Sequence, residues 1–341
     1  MRNLLLLPLF TAVVLLCNVR PAGAQDQHFT QFFASPLTLN PGFTGLFNGD
    51  FRVAGNYRNQ WYTLSTPFVT GTVSADFDIL KNTIAYNDIW GVGVLAMYDQ
   101  TGGGGLRSNY LGLSTAYHKG LDEEGRQTLA LGLQIALSQK RLDLQKLSFE
   151  NQLTNMGFNP TLPSGEYFNR TSLSYVDYNV GLLYNAAIGE ADNLYFGASY
   201  YHITEPDEAF LKQADYLKAR YTLHGGGGFV VSEAVRVYAS ALYMQQGGAQ
   251  EINTGGALGL VVNKVEDNPT IFYIGGWYRW NDAISPYIGL EVGSFQAGMS
   301  YDINISDLSP ASHYQGGLEL SLIYIHQHRD PNRKKLVCPK F

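Results

Sequence analysis

Apolar and polar residues alternate with a period of two along most of this chain. In TLALGLQIALS, Leu129, Leu131, Leu133, Ile135 and Leu137 share one side, while Ala130, Gly132, Gln134, Ala136 and Ser138 share the other. Successive side chains of a strand point to opposite faces, so this run predicts a strand with one greasy face and one small or polar face. FVTGTVSADFDI sets Val69, Gly71, Val73, Ala75, Phe77 and Ile79 against Thr70, Thr72, Ser74, Asp76 and Asp78. FQAGMSYDIN sets Phe295, Ala297, Met299, Tyr301 and Ile303 against Gln296, Gly298, Ser300, Asp302 and Asn304. A small, polar second face suits a wet lumen better than the interior of a sandwich.

Such runs number about fourteen, each near the ~10 residues that a tilted membrane strand needs. They centre near Val53, Val73, Val94, Leu113, Leu133, Val180, Gly197, Leu223, Ala239, Leu258, Ile274, Leu290, Met299 and Leu320. The run YTLHGGGGFVV and the break between Gly293 and Phe295 are weakly marked, which leaves the count open between about twelve and sixteen. The connections provide a second test. Numbered from Phe51, the long segments 141–172 and 205–218 follow odd strands, while tight connections at 188–193, 232–233 and 294 follow even ones. An even barrel with both termini in the periplasm has this asymmetry, with long loops outside and short turns inside. Tyr273, Trp277 and Arg279 share one face near the outer end of their strand, and are expected to point outward as interface aromatics and a snorkelling cation.

Composition agrees with an all-β, transmembrane antiparallel barrel. Charged residues make up 15% of the chain, with 23 tyrosines and 37 glycines; soluble domains carry ~25% charged residues. Arg2, the apolar run 4–16 and Ala22-Gly23-Ala24 predict a secretory leader cut between Ala24 and Gln25. That run falls short of the ~20 residues of a spanning helix, and no later run reaches that length. The chain therefore divides into a leader (1–24), an N-terminal segment (25–50), a barrel (51–326) and a periplasmic tail (327–341). The net charge of −6 argues against nucleic acid as a partner.

The charges that do occur have a place. On the first strand Arg52 and Arg58 alternate with Val53, Gly55 and Tyr57, and Asp76 and Asp78 take the same parity on the second. A charge facing lipid at the midplane costs ~2–4 kcal/mol, so all four are expected in the lumen. The hairpin register brings Arg52 within about two residues of Asp76. Two roles stay open: a salt-bridge network holding the first hairpin, or a grip on a plug or a partner's segment. Segment 25–50 carries Phe32, Phe33, Leu37, Leu39 and Phe43 around the turn signal Asn40-Pro41-Gly42. It is expected to fold up as a plug or to cover the periplasmic mouth.

Candidate chemistry is sparse. Gly102 to Gly105 lack the Lys-Ser/Thr pair and helix of a phosphate loop and read as an outer hairpin. The glycines at 225–228 mark a bulge, a close backbone approach or a constriction facing a plug. Asp122-Glu123-Glu124 reads as a solvated periplasmic turn, and His326 and His328 as a lone H-x-H without further metal ligands. Asn169-Arg170-Thr171 carries no weight as a glycosylation sequon in a bacterial envelope. Beyond the leader stands one cysteine, Cys338, which either pairs with another chain or lies buried at the periplasmic mouth. No nucleophile, base and orienting residue group together, so no catalytic site, cofactor or metal is expected.

The opening QHFTQFFASPLTLNPGFTG, followed by YRNQW, resembles the PorP/SprF family of the type IX secretion system. Gln27, Phe29, Gln31, Phe32, Pro36, Leu37, Asn40, Pro41 and Gly45 fall on the family's opening, as do Tyr57, Arg58, Gln60 and Trp61; Gly42 stands where the family usually has alanine. The closing VCPKF is similar to the family's end. The resemblance implies an outer-membrane protein that supports export or surface retention of a particular large cargo, such as a motility adhesin. It further implies binding of the cargo's C-terminal secretion domain and contact with periplasmic secretion components. On that expectation segments 141–172 and 205–218 meet cargo, and the periplasmic turns and basic tail meet the machinery. The alternative is an uptake channel resembling fatty-acid transporters, and a purely structural barrel is a third reading.

Overall fold

The computed structural model describes residues 26–62, 66–80, 84–85, 87–189, 192–263 and 270–326. The expected leader and cleavage site, His328 and Cys338 lie outside the described residues. Chain order runs through β1 (Phe51–Gln60), β2 (Phe68–Ile79), β3 (Ile89–Thr101), β4 (Leu106–Gly120) and β5 (Gln127–Leu142). A small hairpin follows in the next loop, β6 (Leu153–Thr154) and β7 (Gly157–Phe158), and then β8 (Ser172–Ala187), β9 (Asn193–Tyr201) and β10 (Arg220–Ser232). The wall is completed by β11 (Val235–Gln246), β12 (Ala249–Asn263), β13 (Thr270–Arg279), β14 (Ala283–Val292), β15 (Phe295–Asn304) and β16 (Gln315–His326). All strands except β6 and β7 form one closed barrel, in which β1 pairs antiparallel with β16 from Phe51↔His326 to Gln60↔Gly317. Fourteen strands therefore span the wall, each at a centre expected from the alternation.

The two-residue period decides which side chain sees what. On β5, Leu133 is 52% exposed and its neighbour Gln134 only 3%. Leu129, Leu131, Ile135 and Leu137 repeat the outward pattern. The greasy side faces out along the whole wall, as a lipid-bathed ring requires. Arg52 lies directly opposite Asp76 in the β1–β2 register, and Asp78 follows on the same inner face, beside Gly45.

On β13 the structure reverses the expected parity. Phe272, Ile274 and Tyr278 face out, whereas Tyr273, Trp277 and Arg279 are buried in the lumen. The alternation is ambiguous there because both faces carry large apolar residues. The lumenal face wins because Arg279 finds Asp302, its Nη2 lying 2.7 Å from Oδ2. The Trp277 ring finds Phe33 of the N-terminal segment at 4.9 Å. The glycines at 225–228 also differ from a bulge. They pair in unbroken register with β9 and β11, and the irregularity falls later, between Val230 and Ser232. A side chain on Gly226 would meet the Tyr195 hydroxyl, and one on Gly228 the Tyr238 ring. The run leaves room for aromatic rings to lie across the strand. Gly102 to Gly104 turn β3 into β4 with positive φ, as an outer hairpin should.

The parity rule makes a measurable forecast on β14, whose outward face carries Ile288 at mid-strand and Val292 at the periplasmic end. Ile288→Arg should lower unfolding free energy in lipid bilayers by ~2–4 kcal/mol, and Val292→Arg by ~0–1 kcal/mol. Denaturant titration into bilayers measures both; equal costs would contradict the lipid-facing assignment.

Candidate functional site

The segment ahead of β1 lies inside the barrel. It forms three short helical turns, Phe32–Ala34, Pro36–Leu39 and Pro41–Phe43, and buries Phe29, Phe32, Leu37, Leu39, Phe43, Leu46 and Phe47. Too short to be stable alone, such turns depend on packing against the wall. The segment starts near the outer ends of β9, β10 and β11 and reaches β1 at the opposite end, where Asp50 N–H donates to His326 O at 2.7 Å.

Its outer anchor is Asp26. One carboxylate oxygen meets His202 Nε2 at 2.6 Å and Arg220 Nη1 at 3.0 Å, and the backbone N–H donates to Gln246 Oε1 at 2.7 Å. The other ring nitrogen of His202 lies 2.9 Å from Asp177. Burial lowers the His202 pKa, but the Asp26 and Asp177 carboxylates overcome it and raise the value to about 9. At His28, burial together with the Arg58 and Arg279 guanidiniums holds the pKa well below 6.5. The imidazole is therefore neutral, and its 3.3 Å contact with Glu251 is not a pair of full charges.

A second set of contacts crosses the closing seam. Arg58 of β1 donates to Asp302 of β15 at 2.7 Å and lies 3.4 Å from Glu319 of β16; Arg279 meets the same Asp302 oxygen. The N-terminal segment is threaded into this cluster. Thr30 N–H and Gln31 N–H donate to the two oxygens of Glu319 at 2.8 and 2.9 Å, and Thr30 Oγ1 donates to Asp302 at 2.8 Å. The Gln31 amide then reaches Ser300 Oγ and accepts from Ser321 Oγ. Each charge is buried, and each is answered by an opposite charge or a directed hydrogen bond, the condition under which burial is tolerable.

Toward the periplasmic end glycines form the cradle. A methyl group on Gly132 would collide with the Pro41–Gly42 backbone, and one on Gly181 with the Asn40 side chain. Asn40 Oδ1 caps the turn by accepting from Gly42 N–H at 2.7 Å, while Nδ2 donates to Leu182 O at 2.9 Å and faces His224 Nε2 at 2.9 Å. Gly45 takes φ 80° against Gly91 and Asp78, and donates to Asp76 Oδ2 at 2.8 Å. Arg52 grips both Asp76 oxygens, at 3.0 and 2.8 Å, and donates to Phe43 O and Leu46 O. Its guanidinium also lies over the Phe47 ring, 5.1 Å from the centroid.

The residues singled out by sequence thus separate. Asn40, Pro41, Gly45, Arg52, Asp76 and Asp78 converge in the lower lumen. Arg58 does not join them in holding the first hairpin; it reaches across the seam, because its acids stand on β15 and β16. Tyr57 points to the lipid side, 43% exposed. Gln60 ends β1 opposite Gly317, and Trp61 turns at φ 52° with its ring on Phe68 at 4.9 Å, at the outer rim. The sequence does not single out Thr30, His202, Arg220 or Glu319; it marks Gln31 only as a motif residue and Arg279 only as an outward cation. Their signal was available in part: a charged residue with lumenal parity, as Asp302 and Glu319 have, needs a partner inside.

Outside the membrane the two long loops form one body. Arg170 Nε donates to Ala209 O at 2.7 Å and Asn169 N–H to Phe210 O at 2.9 Å. Lys140 and Tyr175 both bind Glu208, and Lys212 lies over the Tyr167 ring at 4.8 Å. This platform exposes Leu153, Met156, Phe158, Tyr167, Leu211 and Tyr216; Met156 is 95% exposed.

Two experiments probe the inner segment. Gly132→Ala should push Asn40-Pro41-Gly42 off the wall, seen as faster amide exchange over residues 38–45 in an otherwise folded barrel. The outer anchor should depend on pH. A histidine raised on folding lends stability fully below its ordinary value of 6.5 and loses it as pH climbs through about 9. Exchange of residues 26–31 should therefore accelerate between those values beyond the intrinsic base catalysis, and His202→Gln should abolish the excess.

Among solved structures, the toluene transporter TbuX of Ralstonia pickettii superposes with a TM-score of 0.51 at 11% identity, covering 86% of this chain and 94% of that one. A Pseudomonas aeruginosa FadL homologue gives 0.49 at 11% identity, covering 84% and 92%, and the Pseudomonas putida toluene transporter TodX gives 0.48 at 10%, covering 85% and 92%. At such identities the likeness is one of fold. No curated protein matches the sequence. A family model described as type IX secretion system membrane protein PorP/SprF matches residues 22–324. With that match over a closed outer-membrane barrel, the chain belongs to the PorP/SprF family of type IX secretion membrane proteins.

Proposed function

We propose that this protein is a cargo-binding component of type IX secretion, working by recognition rather than by chemistry. The observation that carries the reading is the fused outer platform, which presents Leu153, Met156 and Phe158 on a hairpin standing free of the barrel. Exposed apolar clusters beyond the membrane are the kind of surface that partners bury. A secreted protein, through its C-terminal secretion domain, is the partner this reading assigns to it. The short periplasmic turns and tail 327–341 would then dock the apparatus. Asn40, Pro41, Gly45, Arg52, Arg58, Asp76 and Asp78 would serve by fixing the inner segment, leaving Tyr57, Gln60, Trp61 and Cys338 as contacts for other envelope components.

The rival reading is solute uptake, prompted by the fold likeness to a toluene transporter. Against it, residues 26–50 cross the lumen, held at the outer end by the Asp26–Arg220 ion pair and at the periplasmic end by hydrogen bonds from Gly45 N–H to Asp76 and from Arg52 to the Phe43 and Leu46 carbonyls. A solute would have to displace them.

Deletion of the gene, with comparison of surface proteins and nutrient uptake, separates the two. Loss of one large surface protein that co-purifies in mild detergent is the expected result; intact surface proteins with failed uptake would defeat the proposal. A Met156→Asp, Phe158→Asp double variant should still assemble, yet recover on the order of tenfold less cargo.

A further inference from the structure

The outward face of β3, β4, β5 and β8 changes character from one end to the other. At its outer end Arg107 stands directly opposite Arg141, both exposed on the lipid side of the wall. One row below, Tyr98, Asn109, Gln139 and Ser174 lie in register across the four strands. Beneath them come Ala96, Leu111, Leu137 and Val176, and further apolar rows follow. Lys119 closes β4 near the periplasmic end. At ~3.3 Å per residue and a tilt of ~40°, Arg107 and Lys119 are separated by about 30 Å along the membrane normal. The arginine pair therefore sits at the level of the outer headgroups.

Like charges placed directly across a strand pair repel and destabilise it. Among the described residues neither arginine has an ion-pair partner. Asp143, the nearest acid in sequence to Arg141, caps the next turn by accepting from Gln145 N–H and forms no ion pair with either arginine. Beside the polar row opens a trough of about 660 Å³, whose lining includes Gly71, Val73, Ala96, Leu111 and Leu137. Protein packing does not demand the glycine. A methyl group on Gly71 would meet only Asn56 O, at 3.9 Å.

We propose that this face binds a phosphorylated lipid of the outer leaflet. Its phosphate lies between the Arg107 and Arg141 guanidiniums, whose planar forks suit phosphate oxygens. The amides of Asn109 and Gln139 and the Ser174 hydroxyl meet the polar linkage, and an acyl chain occupies the trough. The anion relieves the repulsion that the bare pair carries, which accounts for arginines at both positions.

The test uses the full mature protein in neutral detergent, titrated with diphosphorylated lipid A, its dephosphorylated form and inorganic phosphate, and read by native mass spectrometry. The wild type should bind diphosphorylated lipid A, with both removal of the phosphates and the R107Q/R141Q double variant weakening binding roughly tenfold or more. Gly71→Phe, which fills the trough and keeps the arginines, should also weaken it. In lipid-free detergent R107Q/R141Q should melt no lower than wild type. Unchanged lipid A affinity in the double variant would overturn the proposal and leave the face to a protein partner. Inorganic phosphate binding as tightly as lipid A, or a lower melting point of the double variant without lipid, would overturn it too.

Discussion

Hydrocarbon offers no hydrogen-bond partner, and the rest of this molecule follows from that fact. Every wall strand must pair on both sides, so the first strand closes on the last along the whole of β1. Closure isolates an interior from lipid, and the two-residue period then turns the charges of the middle of the wall inward, leaving outward ones such as Arg107, Arg141 and Lys119 to the strand ends. Arg52, Arg58, Asp76, Arg279, Asp302 and Glu319 are all turned inward and nearly inaccessible to water. A barrel of this kind inverts the soluble pattern, with the greasy residues on its rim and the ionic ones at its heart.

An interior so charged needs something to organise it, and residues 26–50 do this. They bring backbone N–H groups to Glu319 and Asp76 and a hydroxyl to Asp302. They also bring aromatic rings to Trp277 and Tyr287, through Phe33, and to Tyr195, through Phe43. Half-satisfied buried networks are costly. The lumenal glycines are the other half of the arrangement, since they let the backbone at Asn40-Pro41-Gly42 approach the wall more closely than any side chain would allow. The family's opening motif is thus a set of packing and hydrogen-bonding demands: Gln31 and Asn40 bond the wall, Pro41 rests on Gly132, and Gly45 takes a left-handed turn against Gly91.

Most of the wall was legible in the sequence, because hydrophobic alternation is local and a strand exposes it residue by residue. A count near fourteen strands and the placing of Arg52 within about two residues of Asp76 follow from it, and the lengths of the connections add the direction of the chain. What failed was parity on β13, where Ile271, Tyr273 and Trp277 compete with Phe272, Ile274 and Tyr278 and local pattern has nothing to choose between. The deciding partner, Phe33, arrives from a segment remote in sequence. For Arg58 the inward parity is local and legible, and so is a hold on the inner segment, which it makes at His28 O and Thr30 Oγ1; its acids, Asp302 and Glu319, come from strands at the far end of the chain. The inner segment's apolar content announced that it would be buried, yet its path from the outer rim downward depended on the lumenal partners that meet it.

That path has a bearing on how the molecule is made. Thr30 and Gln31 are held by Glu319, on the final strand, while Arg58, on the first, ties that same strand to Asp302. Zipping the two edges together and seating the filament within are consequently a single event. A half-open sheet presented to the insertion machinery would still lack the hooks that hold its own leading end, and a ring shut without that end would enclose carboxylates stripped of the donors that Thr30, Gln31 and Gly45 supply.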